Sequence, residues 1–187
     1  MEHAAGCKIG GGVVAQHDAL RDILWDFAKK HIDPRALREQ RLESLRAGHM
    51  EDARDGDLPG DVLDVVFNYN GRRVAIDVAV VGAERDCART RAAASRDAAS
   101  ADREEREKRR RYHGLSISPC VFEIAGRAGT GAQSVVRAMA AMAGGDEKAP
   151  ELAAVLWQRL SIALQTAGAW QIATSYVSYS CLAATGA

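Results

Sequence analysis

The sequence predicts one α/β domain with a mixed central sheet, built on a β-hairpin core and flanked by helices. Three observations carry this. Two apolar, β-branched runs, Asp61–Phe67 and Arg72–Val81, are separated by a turn containing Asn70-Gly71, the dipeptide that favours a tight hairpin turn. A third such run, Leu115–Ala125, follows a long stretch free of Pro and Gly. Strands interrupted by long helices favour a sheet covered on both faces over a sandwich or a bundle.

Taken in order, residues 16–31 place Leu20, Ile23, Leu24 and Phe27 at three- and four-residue spacing between charged residues, an amphipathic helix. Asp33-Pro34 stops it, because the residue before a proline is pushed out of the helical region. Residues 35–47 form a charged helical or extended stretch, and 49–58 an acidic loop. The hairpin follows. Residues 84–112 read as a long helix whose second half is nearly all charged and defaults to a solvated face; Gly114 ends it. Beyond the third strand, 133–143 reads as a short helix, 144–150 as a linker and 151–167 as a final helix with Leu152, Val155, Leu156, Leu160 and Leu164 inward. Residues 1–15 are expected to be a flexible entry, 16–170 the folded domain and 171–187 a tail.

With 187 residues the chain can bury a core as one domain, and 25 basic residues balance 25 acidic ones. Net charge therefore gives no argument for a nucleic-acid partner, and any basic surface must be local, as at Lys108–Arg111. No window approaches the roughly 18 apolar residues of a membrane span, so no membrane partner is expected. Cys7, Cys87, Cys120 and Cys181 include no CxxC pair, and the N-terminus carries Glu2 and lacks an apolar leader segment. An intracellular, reducing location is the expectation.

The chemistry is carried by acids inside apolar strands. An ionised carboxylate among Val, Leu and Ile is costly to desolvate unless a cation, a donor or a metal meets it. Convergent carboxylates of this kind suit Mg²⁺, or Mn²⁺, which take hard oxygen ligands and activate water against a phosphodiester. The other reading of such an acid is an edge-strand side chain in water. Which acid joins Asp77 depends on the turn. A two-residue turn at Asn70-Gly71 pairs Tyr69 with Arg72 and sets Asp64 opposite Asp77; a three-residue or bulged loop brings Asp61 to that face instead.

The run Leu58-Pro-Gly-Asp61-Val-Leu, the strand Ile76-Asp77-Val-Ala-Val-Val81 and the segment Glu107-Lys108 to Tyr112-His-Gly114 resemble the PD-(D/E)xK nuclease superfamily. More narrowly, they resemble the restriction-like endonuclease region of non-LTR retrotransposon polyproteins, and Leu156-Trp-Gln-Arg-Leu-Ser-Ile-Ala-Leu-Gln165 is similar to a helix that closes many such reading frames. The resemblance spans roughly residues 15–170. It implies a restriction-endonuclease-like fold and a metal-dependent DNA endonuclease that nicks target DNA for retrotransposition, with DNA and an upstream reverse transcriptase as partners and a nuclear setting. It also implies that Asp61 and Asp77 hold Mg²⁺ or Mn²⁺ near the carbonyl of Val78; Asp64 is the alternative that the tight turn would give.

The superfamily's strand lysine is missing, because Ala79 stands two residues past Asp77. The resemblance implies a lysine moved to the following helix, which is Lys108 here, with Tyr112 one turn on along the same face. It further implies a third acid from an earlier helix, for which Glu39 fits best. Arg109, Arg110, Arg111 and His17 are the candidate DNA contacts, His17 otherwise serving as a helix cap. His3, Cys7 and His17 fall short of the four ligands of a structural zinc site. Ala79 and the neutral net charge favour the rival reading: a decayed nuclease remnant that binds DNA or acts as a scaffold.

Overall fold

The computed structural model describes residues 12–42, 62–82 and 98–184. The chain is a mixed α/β protein in which a four-stranded mixed sheet is flanked by three helices. The order is α1 (Gly12–His31), β1 (Leu37–Arg41), β2 (Val62–Tyr69), β3 (Arg72–Val81), α2 (Ala99–Arg111), β4 (Ile117–Glu123) and α3 (Thr130–Ala184). Strands β1, β2 and β3 form an antiparallel meander, and β4 joins β3 in parallel through the crossover that contains α2. Pro119 sits in β4, an edge strand, where a missing N–H can be tolerated.

The hairpin turn has the tight geometry. Tyr69 pairs with Arg72, and Asn70 and Gly71 adopt φ of 49° and 74°, left-handed values that asparagine and glycine accept most readily. This fixes which side chains share a face. Val65, Phe67, Ile76 and Val78 join Cys120 and Phe122 beneath α1 and α3, where Leu20, Leu24 and Phe27 meet Leu156, Leu160 and Leu164 in one cluster. On the other face, Val66 and Ala75 pack with Tyr112, while Val121 packs with Ala101 of α2 and with Ala98 just before it.

Strand β1 was legible only as one of two alternatives, helical or extended. Its sequence, Leu-Arg-Glu-Gln-Arg, has no apolar alternation because it is a largely exposed edge strand. Trp25 ties it to α1: the indole Nε1 donates to the Ala36 carbonyl at 3.0 Å, and the Arg38 guanidinium lies 4.6 Å from the ring centre.

The expected linker at 144–150 is instead continuous with its neighbours, and the helix is broken at Gly145 alone, where φ is 60° and ψ −173°. Asp146 and Glu147 open the second arm, where acidic side chains complement the positive end of a helix. Pro150 falls early in that arm rather than in a loop. The backbone is helical to Ala184, through most of the segment expected to be a tail.

Asp33 closes the first corner of the fold. Its carboxylate accepts from the backbone N–H of Arg35 at 2.9 Å and of Asn68 at 2.8 Å, joining the end of α1 to β2. Those two bonds hold its pKa below the ordinary 3.8, Asn68 contributing most. Because the folded value is depressed, this stabilisation is complete above pH 3.8 and is lost as pH falls through the folded value. Asp33→Ala should destabilise the domain by about 1–3 kcal/mol at neutral pH, measured by urea unfolding, since two backbone donors lose a charged acceptor. The difference between mutant and wild type should shrink in acid.

Candidate active site at the splayed end of the hairpin

The paired register of β2 and β3 ends at Val65 with Ile76. Its next step sets Asp64 beside Asp77, as the two-residue turn requires. The three-residue or bulged loop that would have turned Asp61 toward Asp77 is not the loop present, and Asp61 itself lies outside the described residues. Instead of another backbone pair, Asp64 Oδ2 accepts the Val78 N–H at 2.7 Å. Both acids are buried, Asp64 at 6% exposure and Asp77 at 4%.

Each carboxylate has a basic partner from a different side of the sheet. Lys108 Nζ lies 2.6 Å from Asp77 Oδ2, its side chain only 12% exposed. His17 Nε2, on α1, lies 3.1 Å from Asp64 Oδ1, and its Nδ1 lies 3.2 Å from Asp18 Oδ1. Hydrogen bonding to Asp64 is the largest influence on the imidazole and raises its pKa against the opposing effect of burial. Burial pushes Asp77 above the carboxylate range; the Lys108 charge and hydrogen bond pull it back, Asp64 raises it, and the Tyr112 hydroxyl lowers it. Two acids this close that are ionised together need positive charge between or beside them.

The second half of α2, expected to be solvated, is amphipathic in an unusual way. Ala101, Glu105, Lys108 and Tyr112 follow a four-, three- and four-residue spacing and turn inward, whereas Arg109, Arg110 and Arg111 are exposed. Arg109 borders a shallow groove shared with Ser118, Gly131 and Ser134. Glu39 does not join the pair of acids. It belongs to strand β1 rather than to a helix, adopts φ of 53°, is largely exposed, and its carboxylate is held by Arg21. His17 lies within α1 rather than capping it, and faces Asp64.

Two functions of acidic residues were invisible in the sequence. Glu123 caps α2 by accepting the Ser100 N–H at 3.0 Å, and Glu105 caps α3 by accepting from Gly131 at 2.7 Å and Ala132 at 3.1 Å. Both partners are remote in sequence, so no capping box announces them. Cys120 offers no nucleophile, because burial, with smaller help from nearby acids, pushes its thiol far up.

As a metal site, Asp64 and Asp77 supply two adjacent hard oxygen donors. Among the described residues, no group of three His, Cys, Asp or Glu side chains is placed to hold an ion. The chain matches no protein-family model and no curated protein. Among the described residues no helix is long and apolar enough to cross a membrane.

If Asp64 is a ligand, Asp64→Ala should weaken Mn²⁺ binding at least about tenfold in a calorimetric titration, a loss of about 1.4 kcal/mol or more. Asp61→Ala in parallel gives the ranking. A larger loss for Asp61 would return the hairpin ligand to that residue.

Proposed function

We propose that this chain is a metal-dependent DNA endonuclease domain on a restriction-endonuclease-like fold, nicking target DNA for retrotransposition alongside an upstream reverse transcriptase. The observation that carries the reading is the meeting of three residues from separate elements: Asp64 and Asp77 on the hairpin arms and Lys108 on the following helix. The sequence resemblance calls for Asp77 with a second hairpin acid, Asp61 before Asp64, and for Lys108 in place of the lysine that Ala79 displaces; the tight turn is what brings Asp64 rather than Asp61 to Asp77. A solvated-face lysine has no reason to be 2.6 Å from a buried carboxylate.

Asp77 and Asp64, with Asp61 as the further candidate, would hold Mg²⁺ or Mn²⁺; bound there, the ion would lower the pKa of a water and neutralise phosphate charge. Lys108 orients that water or stabilises the negative charge that develops on the phosphorus oxygens, while Tyr112 steadies Asp77. His17 holds Asp64 in place. The exposed Arg109, Arg110 and Arg111 supply a local basic surface for DNA phosphates on a neutral chain. The setting implied is intracellular and nuclear.

One observation favours a second reading, a decayed remnant that binds DNA or serves as a scaffold: the two acids are already matched by Lys108 and His17, so the pairs satisfy themselves without an ion. Plasmid nicking by the purified domain with Mg²⁺, Mn²⁺ or EDTA separates the two. Metal-dependent conversion of supercoiled to open-circular DNA that disappears in Asp77→Ala supports the nuclease; DNA binding without nicking supports the remnant.

A further inference from the structure

Glu105 is 2% exposed on a helix that is otherwise rich in solvated charge, and the proposed chemistry gives it no role. Both of its oxygens are committed to the first turn of α3: Oε2 accepts from Gly131 N at 2.7 Å and Oε1 from Ala132 N at 3.1 Å, with Thr130 Oγ1 3.4 Å from Oε2. The neighbouring chain is shaped around it. A Cβ added at Gly129 would lie 2.4 Å from Glu105 Oε1, and one added at Gly131 would lie 2.7 Å from its carboxylate and from the Pro119 carbonyl. Only glycine at both positions leaves the carboxylate its seat.

Lys108 stands three residues further along α2, on the same inward face as Glu105. A helix can roll about its axis on apolar contacts alone, and within α2 itself these are small, Ala101 against Val121, with Tyr112 meeting Val66 and Ala75 only at the C-terminal cap. Two directed hydrogen bonds from backbone N–H groups to a buried carboxylate resist such a roll. Glu123 does the same at the other end of α2, where it takes the Ser100 N–H.

We propose that Glu105 is a positioning residue: by gripping the backbone N–H groups that open α3, it fixes the rotation of α2 that delivers Lys108 to Asp77. The assignment rests on the nuclease reading for its effect on rate, but its effect on Lys108 does not. Asp102 provides the control. It caps the same helix, accepting from Thr130 N at 2.8 Å and Thr130 Oγ1 at 3.1 Å, from a half-buried site six residues before Lys108 and therefore well around the helix from it. If capping α3 were all that mattered, losing either acid would have the same consequence.

The test uses the full chain. Modification of Lys108 by a lysine-reactive ester, followed by mass spectrometry, reads whether the amine is held by Asp77. Glu105→Gln keeps one acceptor but turns an amide N–H₂ toward the second donor; labelling of Lys108 should rise about tenfold or more, whereas Asp102→Asn should change it by less than about twofold. Glu105→Asp, which keeps the charge and shortens the reach, should give an intermediate rise and carries the test if the Gln variant does not fold. In single-turnover nicking, Glu105→Gln combined with Lys108→Ala should be no slower than Lys108→Ala alone. Unchanged labelling in the Glu105 variants, equal labelling in the Glu105 and Asp102 variants, or additive losses in rate would each overturn the proposal. Absence of metal-dependent nicking by the wild type would instead remove the nuclease reading, with the labelling result still deciding the role of Glu105.

Discussion

Asp77→Asn is expected to abolish Mg²⁺-dependent nicking, by a factor of at least about 10³, while leaving the domain as stable as the wild type or slightly more so. The two outcomes separate because the carboxylate is costly to the fold. Burial and the neighbouring Asp64 both raise its pKa, and Lys108 only partly offsets them. A group whose folded pKa is raised binds protons more tightly in the native state, so its cost is absent below 3.8 and grows as pH climbs through the folded value. The asparagine amide avoids that cost. Its carbonyl can still accept from Lys108 or Tyr112. Urea unfolding from pH 4 to 8 should therefore show a stability in the mutant that declines less with rising pH. A mutant that unfolds, together with wild-type nicking that ignores EDTA, would make Asp77 a structural acid and remove the metal site.

What the sequence revealed depended on whether a signal was local. The hairpin was readable because Asn70-Gly71 is short-range turn chemistry, and the conditional that followed from it held: a two-residue turn sets Asp64 against Asp77. The preference for Asp61 came from the resemblance and not from register, and Asp61 lies outside the described residues. Helix α1 was visible in its apolar spacing, and the spacing of Lys108 and Tyr112 already put them on one face. Glu105 was hidden because a helix full of charge gives no sign of which acid is buried; only the N-terminus of α3, 26 residues away, explains it. Strand β1 was obscured by being an edge, where no apolar alternation is required. The contact of His17 with Asp64 had no sequence signal, since nothing local says that α1 meets the open end of the hairpin. The break at Gly145 was masked by a run of Gly and Pro that resembles a linker, although an acidic start lets the second arm of α3 begin at once.

The second large effect is expected at Lys108. Lys108→Ala should lower the cleavage rate by a factor on the order of 10²–10³, the usual loss for one transition-state donor, with DNA affinity barely changed. The substitution acts twice. It removes the amine from the reacting phosphate, and it leaves Asp77 without the charge that opposes its burial, so the Asp77 pKa rises further. The acidic limb of the pH–rate profile should consequently move toward higher pH in Lys108→Ala, an effect that a merely phosphate-binding lysine would not produce. Arg109→Ala should do the reverse. A residue one position on points about 100° away around the helix, and Arg109 is exposed. Its loss should weaken DNA binding and flatten the salt dependence by about one unit of slope, with little effect on the single-turnover rate at saturating DNA. Small and equal effects from both substitutions would leave the buried acids without a catalytic cation and make the DNA-binding remnant the better description of the chain.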